Sequence, residues 1–463
     1  MKDELLLRLE AFGQESLLAF WDELSEEEQA GLAAQIRGID LRELEAMFES
    51  SATQERLTDL AQRAEPPAAV RIDSNDPPYA GRGAEQVGEQ ALAAGKVGIA
   101  LVAGGQGSRL GFDHPKGMYP IGPISHASLF EILFAKIDAI GERFGRGIPL
   151  FLMTSPATHQ ETLDYLETNR RFGLVEEDVT VFCQGTLPAV DACTGKLLLS
   201  ERDSLFLSPD GHGGMLAALE RCRALESMQQ RGLEYLFYFQ VDNPLATVCD
   251  PRLIGCHLLA ESEYTLQVIA KKSPEDRVGN VVRLDGMTRV IEYSDLPAEV
   301  AQQRNDDGSL KLWAGSIAVH IFDIAFLCRM AKSQAVLPIH LARKKVPFLD
   351  PSGRRINPDE PNAIKYERFI FDLLPHAKRA LSVEVDSALA FAPLKNASGA
   401  ATDTVEHVCC QMMDVHRRML REAGIKVDDG CRVEISPRFA MTVEQLRQKI
   451  APGTTILEDT YFR

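Results

Sequence analysis

Apolar positions at Leu5, Leu6, Leu9, Phe12, Leu17, Leu18 and Trp21 recur with a period of about 3.6 residues. That spacing predicts helices over residues 1 to about 65. Ser25-Glu26-Glu27-Glu28 reads as a helix N-cap followed by an acidic first turn. Glu65 to Gly83 is rich in Pro, Gly and Asp and reads as a linker. The pattern then changes. VGIALVAGG (Val97 to Gly105) is a continuous apolar run of strand length. SLFEILFAKIDAIGERFG (Ser128 to Gly145) is amphipathic at helical spacing, and IPLFLMTS (Ile148 to Ser155) is a second buried-type strand. Helices are predicted over Thr158 to Arg170 and Gly214 to Gln230. LEYLFYFQVDNPL (Leu233 to Leu245) is a strand that enters a polar tip. Alternating apolar strands and amphipathic helices predict an α/β domain with a largely parallel sheet. Residues 264 to 320 hold four short strand patterns, YTLQVIAKK, GNVVRL, TRVIEYS and AGSIAVHIF, and the tail from about residue 425 reads as a small appended module.

The first apolar strand runs straight into Gly104, Gly105 and Gly107, with Arg109 and Lys116 in the same loop. Glycine lets backbone N–H groups approach a ligand, and Arg and Lys supply charge and donors. The combination points to a polyphosphate. Two familiar loops fail on spacing. In the dinucleotide pattern G-x-G-x-x-G the third glycine comes one place late here, at Gly111. A P-loop needs Ser or Thr directly after its Lys, whereas Gly117 follows Lys116. An early Arg and a later Lys around an anion suit nucleotidyl transfer.

Length and charge sharpen this picture. A chain of 463 residues is too long for one simple core and predicts two or three domains. The net charge of -17, with no long Lys/Arg block, argues against nucleic acid or an anionic membrane as partner. An acidic protein that binds phosphate needs locally placed cations or a metal ion. The N-terminus lacks the basic start and apolar core of a signal peptide. No apolar run reaches spanning length. Nine cysteines without a CxxC pair suggest reduced thiols packed as small core residues, and a cytoplasmic location. His257, His320 and His340 have no metal-like spacing and receive no role.

LVAGGQGSRLGFDHPKGMYPIG, CQGTLPAV, SPDGHGG, FQVDNPL, VGNVVRLDG, VIEYSDL, WAGSIAVHIF, PNAIKYERFIFDLL and APLKNASG follow one another in order over most of residues 90 to 410. This series resembles the eukaryotic-type UDP-N-acetylglucosamine pyrophosphorylases, within the wider UDP-sugar pyrophosphorylase family. The resemblance implies a Rossmann-like nucleotidyltransferase fold, a central mixed sheet flanked by helices. The expected organisation is a helical segment over residues 1–75, a catalytic domain over 90–415 and a small module over 425–463. The implied reaction joins UTP to a sugar 1-phosphate and releases pyrophosphate. Its catalysis is positioning and charge neutralisation, with small molecules as the only required partners. The expected assembly is a monomer or weak homodimer.

The same resemblance implies a role for each residue. Gly104, Gly105 and Gly107 offer backbone to the nucleotide. Arg109 grips the outer phosphates, and Lys116 and Lys395 serve the reacting centre. Asp242, at the end of an apolar strand, is placed to hold Mg²⁺, with Mn²⁺ as the alternative. Gln184 reads the uracil edge, whose imide suits an amide, and Gly211 adds backbone contacts to the base. On the sugar side, Glu292 accepts from hydroxyls, Gly279 gives backbone access, and Phe369 and Phe371 wall the acyl group. If RFIFD is a strand, the two rings share a face. The bland alternatives are a plain turn for the glycines, surface ion pairs for the cations, an N-cap for Asp242 and core packing for the aromatics. Two positions depart from the pattern. His212 stands where the family carries Asn after PDG, and Ser316 where it carries the last Asn of NAGN. Both lie in the base and sugar region, so the acceptor is less fixed than uridylyl transfer. Glucose or galactose 1-phosphate is the rival acceptor, with a broad UDP-sugar specificity close to it. A UDP-sugar sensor without turnover is the rival from another class.

Overall fold

The computed structural model describes residues 1–50, 60–73, 79, 82–333 and 337–463. The chain forms two compact units. The first comprises Met1–Leu60, Gln184–Leu216 and Ala335–Asp372. The second comprises Ala61–Cys183, Ala217–Gln334 and Leu373–Arg463.

The second unit is built on a ten-stranded mixed sheet. Its strands are β1 (Ala69–Val70), β2 (Val97–Val102), β3 (Leu150–Thr154), β4 (Val179–Cys183), β5 (Tyr235–Gln240), β6 (Tyr264–Ala270), β7 (Gly279–Leu284), β8 (Met287–Ile291), β9 (Ala314–Asp323) and β10 (Ala380–Glu384). The order is β1-β10-β6-β9-β5-β2-β3-β4, with β7 and β8 extending from β9. The run β5-β2-β3-β4 is parallel, and β9 is antiparallel to both of its long neighbours. Continuous apolar runs such as β2 and β3 are buried along nearly their whole length, as strands covered on both faces must be. The amphipathic helix expected after the glycine loop spans Leu129–Phe144. Ser128 caps it, and Gly145, in the left-handed region, ends it.

Three features differ from the sequence pattern. The linker contains β1, which pairs in parallel with β10; its residues 74–78, 80 and 81 lie outside the described residues. The single helix expected over Gly214 to Gln230 is two, Met215–Arg221 and Ala224–Gln230, broken where Arg223 takes a positive φ. The nine cysteines are unpaired, but only Cys249, Cys256 and Cys431 are buried. Residues from Leu420 onward gather their own apolar cluster around Val433, Ile435 and Leu446.

In the first unit the N-terminal helices bury Leu5, Leu9, Trp21, Leu32 and Ile36 with Val190, Leu199, Ile364 and Tyr366. The helical start therefore supplies core to strands more than a hundred residues away in sequence. Ser25 forms the expected cap as a full capping box: its backbone N–H donates to Glu28 at 2.7 Å, and its hydroxyl accepts from Glu28 N–H at 3.3 Å. Such a box contributes about 1 kcal/mol.

Candidate active site

Strands β2 and β5 are parallel neighbours, with Val102 opposite Gln240. The chain therefore leaves both at the same end of the sheet, where ligands of open α/β sheets bind. From β2 comes the glycine loop and from β5 comes Asp242. Val241 N–H donates to Val102 C=O at 3.0 Å, which holds the two exits together.

The glycine loop closes on itself. Gly107 N–H donates to His114 C=O at 2.9 Å, and Lys116 N–H donates to Gly105 C=O at 3.0 Å. Arg109 is exposed in the short 3₁₀ turn Ser108–Leu110, and Lys116 opens a second one, Lys116–Met118. The glycines do different jobs. A Cβ on Gly107 would lie 2.6 Å from Phe112 C=O, so this glycine is needed for the turn. A Cβ on Gly105 would meet nothing within 4 Å, so its bareness serves no packing purpose. Gly104 C=O accepts from the Ser155 hydroxyl at 2.7 Å.

Lys395 reaches the same place through Asn243. This Asn is 3% exposed. Its Nδ2 donates to Ala390 C=O at 2.8 Å, while Oδ1 accepts from Leu245 N–H at 3.2 Å and Ala392 N–H at 3.0 Å. Leu394 N–H then donates to Asp242 C=O at 2.8 Å, and Lys116 Nζ donates to Leu394 C=O at 3.3 Å. Burial pushes the Lys116 ammonium below its ordinary pKa. The carboxylate of Asp242 pulls it back up, and the charges of Lys395 and Arg109 push it down further. The predicted metal carboxylate and the two other predicted cations thus all act on Lys116. A cavity of about 670 Å³ opens beside Lys395, with Arg277, Asp403 and His407 among its lining.

The sugar-side residues of the second unit also meet. Gly279 on β7 is paired with Ser316 on β9. A Cβ on Gly279 would lie 3.4 Å from Glu292 Oε1 and 4.0 Å from Ser316 Cβ.

The remaining predicted residues belong to the first unit. Gln184 is buried there. Gly211, with φ +82°, would place a Cβ 2.4 Å from Arg368 C=O, so close packing of two loops demands this glycine. Arg368 N–H donates to Asp210 C=O, and Gly213 N–H donates to Arg368 C=O, both at 2.8 Å. Phe369 and Phe371 are not on a strand. The strand Ala363–Glu367 ends before them, and Phe371 falls in a 3₁₀ turn, Ile370–His376. Their rings nonetheless lie 5.0 Å apart. The ring of His212 lies 5.2 Å from Phe369 and 5.6 Å from Phe371. Burial, and then the charge of His340, push its pKa down to about 4. His340, given no role from sequence, belongs to this cluster, 4.2 Å from Phe369. No spacing rule links His340 to Phe369; the antiparallel pairing of His340 with Glu367 does.

No group of three or more His, Cys, Asp or Glu side chains placed to hold a metal exists among the described residues. No helix among them is long and apolar enough to cross a membrane.

Residues 45–460 match the family UDPGP, described as UTP–glucose-1-phosphate uridylyltransferase. The chain is 36% identical over 446 residues to human UDP-N-acetylhexosamine pyrophosphorylase-like protein 1, covering 93% of this chain and 87% of that protein. It is 35% identical over 371 residues to UDP-N-acetylglucosamine pyrophosphorylase of Saccharomyces cerevisiae, covering 78% of each. Among solved structures, UDP-N-acetylglucosamine pyrophosphorylase of Trypanosoma brucei, in complex with an inhibitor, superposes with TM-score 0.83 at 28% identity, over 100% of this chain and 98% of that one. A UDP-glucose pyrophosphorylase of Leishmania major reaches TM-score 0.62 at 16% identity, over 95% of this chain and 99% of that one, which is likeness of fold alone. With a family match over nine-tenths of its length and relatives above 30% identity across most of it, the chain belongs to the UDPGP family of uridylyltransferases.

Proposed function

We propose that the protein transfers the uridylyl group of UTP to N-acetylglucosamine 1-phosphate, giving UDP-N-acetylglucosamine and pyrophosphate. The observation that carries this reading is that Asp242, Lys395 and Arg109 all act on Lys116 at the ends of β2 and β5. A phosphate oxygen of the sugar phosphate attacks the α-phosphorus of UTP in line. The bond from that phosphorus to the bridging oxygen breaks, and pyrophosphate leaves with the electron pair. Lys116 and Lys395 neutralise charge at the reacting phosphorus, and Arg109 holds the outer phosphates. These charges are in place before substrate arrives, which is what makes them effective.

Asp242 suits a hard divalent ion, Mg²⁺ above all. Mg²⁺ takes one or two carboxylates and fills its shell with phosphate oxygens and water, so Asp242, with no group of three or more potential metal ligands around it among the described residues, is a fitting donor. When bound there, such an ion supplies charge neutralisation to the phosphate oxygens. Within their respective units, Glu292, Ser316 and Gly279 serve the sugar, Phe369 and Phe371 its acyl group, and Gln184 with Gly211 the uracil.

Relatives named for N-acetylhexosamine or N-acetylglucosamine, solved structures included, stand at 28% identity or above, whereas UDP-glucose pyrophosphorylase structures stand near 15%. This contrast supports the N-acetylated acceptor. Glucose 1-phosphate is the second reading, favoured by the family description and by the short Ser316 side chain, which spans such a gap only through a water. Pyrophosphate release measured over a panel of sugar 1-phosphates and nucleoside triphosphates decides between them. A highest kcat/KM with glucose 1-phosphate overturns the acceptor, and absence of turnover with every pair overturns the reaction.

A further inference from the structure

In the first unit, the rings of Phe369 and Phe371 contact each other and both His212 and His340. Phe369 lies 4.2 Å from His340, tilted at 33°, and 5.2 Å from His212, stacked at 20°, so it packs against both imidazoles. Phe371 lies 5.0 Å from Phe369, 5.6 Å from His212 and 6.3 Å from His340. Apolar contact alone leaves such rings free to change rotamer together. Two polar contacts prevent it. Ile370 N–H donates to His212 Nδ1 at 3.2 Å, so the neutral ring carries its hydrogen on Nε2. At the other end, His340 Nε2 lies 2.8 Å from Asp372 Oδ2, and that carboxylate is largely buried.

The backbone explains why these groups meet. His340 opens the strand His340–Lys344 and pairs with Glu367, two residues before Phe369. Asp372 follows within the 3₁₀ turn Ile370–His376. The His340–Asp372 contact therefore ties the strand to the turn that carries Phe371, with Phe369 between them.

We infer that His340, anchored by Asp372, is a positioning residue for acceptor choice, fixing Phe369 and with it His212 as a rigid wall that selects an N-acylated hexose 1-phosphate over its hydroxyl counterpart. The inference rests on the proposed reading of Phe369 and Phe371 as the acyl wall. A pocket discriminates small groups by how well its walls are held, since a loosened wall accepts either shape. His340 touches Phe369 rather than substrate, so its effect falls on selectivity.

The test compares kcat/KM for N-acetylglucosamine 1-phosphate and glucose 1-phosphate, each with UTP, in the wild type, His340→Gln and Asp372→Leu. In both variants the ratio of the two values falls about tenfold or more. The loss appears mainly as a raised KM for the N-acetylated acceptor, and Asp372→Glu recovers part of it. Thermal unfolding identifies folded variants. Asp372→Leu, which keeps the branched side-chain shape but removes the acceptor for His340, decides the matter if His340→Gln does not fold. A folded variant that keeps the wild-type ratio, or loses activity equally on both acceptors, overturns the inference and leaves the proposed reaction standing. A wild type that turns over both acceptors alike overturns the acceptor assignment and the inference together. The wild-type measurement therefore separates the two failures.

Discussion

Asn243→Ala tests how the catalytic cations are brought together. The Asn243 side chain is buried and makes three hydrogen bonds, one to Ala390 C=O and one each from Leu245 N–H and Ala392 N–H. Truncation leaves one buried acceptor and two buried donors without partners, at about 1–3 kcal/mol each when nothing replaces them. Water entering the small space repairs part of this, so a net loss of about 3 kcal/mol is expected, corresponding to a fall in Tm of about 4 °C for a unit of this size. The larger effect is on the reaction. Asn243 fastens the segment that ends in Lys395, and the next link is Leu394 N–H to Asp242 C=O at 2.8 Å. A displacement of about 1 Å at a catalytic group costs on the order of 10²-fold in rate, so kcat falls by that factor while KM for the acceptor changes little. Asn243→Asp keeps the acceptor for Leu245 and Ala392 but sets an oxygen against Ala390 C=O. It should therefore fall between wild type and Asn243→Ala. The assay is steady-state pyrophosphate release well below the variant's Tm, paired with thermal unfolding by circular dichroism. A folded Asn243→Ala protein whose kcat stays within about threefold of wild type refutes the reasoning, because Lys395 would then be positioned without this anchor.

Lys395→Ala lowers kcat by on the order of 10²-fold or more, as loss of one preorganised charge donor does; an unchanged kcat in the purified variant removes Lys395 from the reacting centre. Gly105→Ala and Gly107→Ala separate ligand access from folding. The first leaves Tm unaltered and raises KM for UTP, since its Cβ meets nothing within 4 Å, while the second lowers Tm, since its Cβ falls 2.6 Å from Phe112 C=O; thermal unfolding and UTP kinetics on the pair check both. His416 is half-buried, and desolvation followed by the charge of Lys136 pushes its pKa from 6.5 down to about 4. Between those values the unfolded chain binds a proton that the folded chain refuses, so stability is lost as pH falls through this window, by up to about 3 kcal/mol. Denaturant unfolding at pH 7, 5.5 and 4.5 should show a shallower pH dependence in folded His416→Gln; an unaltered slope excludes His416 as its source.

How much was legible depended on whether a feature was local. The strand before the glycine loop, the helix over Leu129–Phe144 and the cap at Ser25 each follow from side-chain periodicity or from hydrogen bonds within one turn. Asp242 was readable because it lies just beyond the end of an apolar strand, and Lys116 because it shares the glycine-rich loop that follows another. Other features rest on partners distant in sequence. β1 is two residues long, and only β10 makes it a strand. The break at Arg223 interrupts a stretch whose composition is helical throughout. Phe369 and Phe371 come together through a turn where a strand was expected.

Sequence by itself determined the inventory: a bare glycine turn after an apolar strand, three cations, and a carboxylate at a strand end. Apolar patterning and glycine act over a few residues, so one chain of letters carries them. Only tertiary structure decided that Lys116 and Lys395, 279 residues apart in the chain, share one field, and that His340 joins Phe369. Those unions depend on parallel register between β2 and β5, on a buried amide at Asn243, and on His340 pairing with Glu367. Each is a hydrogen-bonded contact between segments far apart in sequence, and no local period announces it.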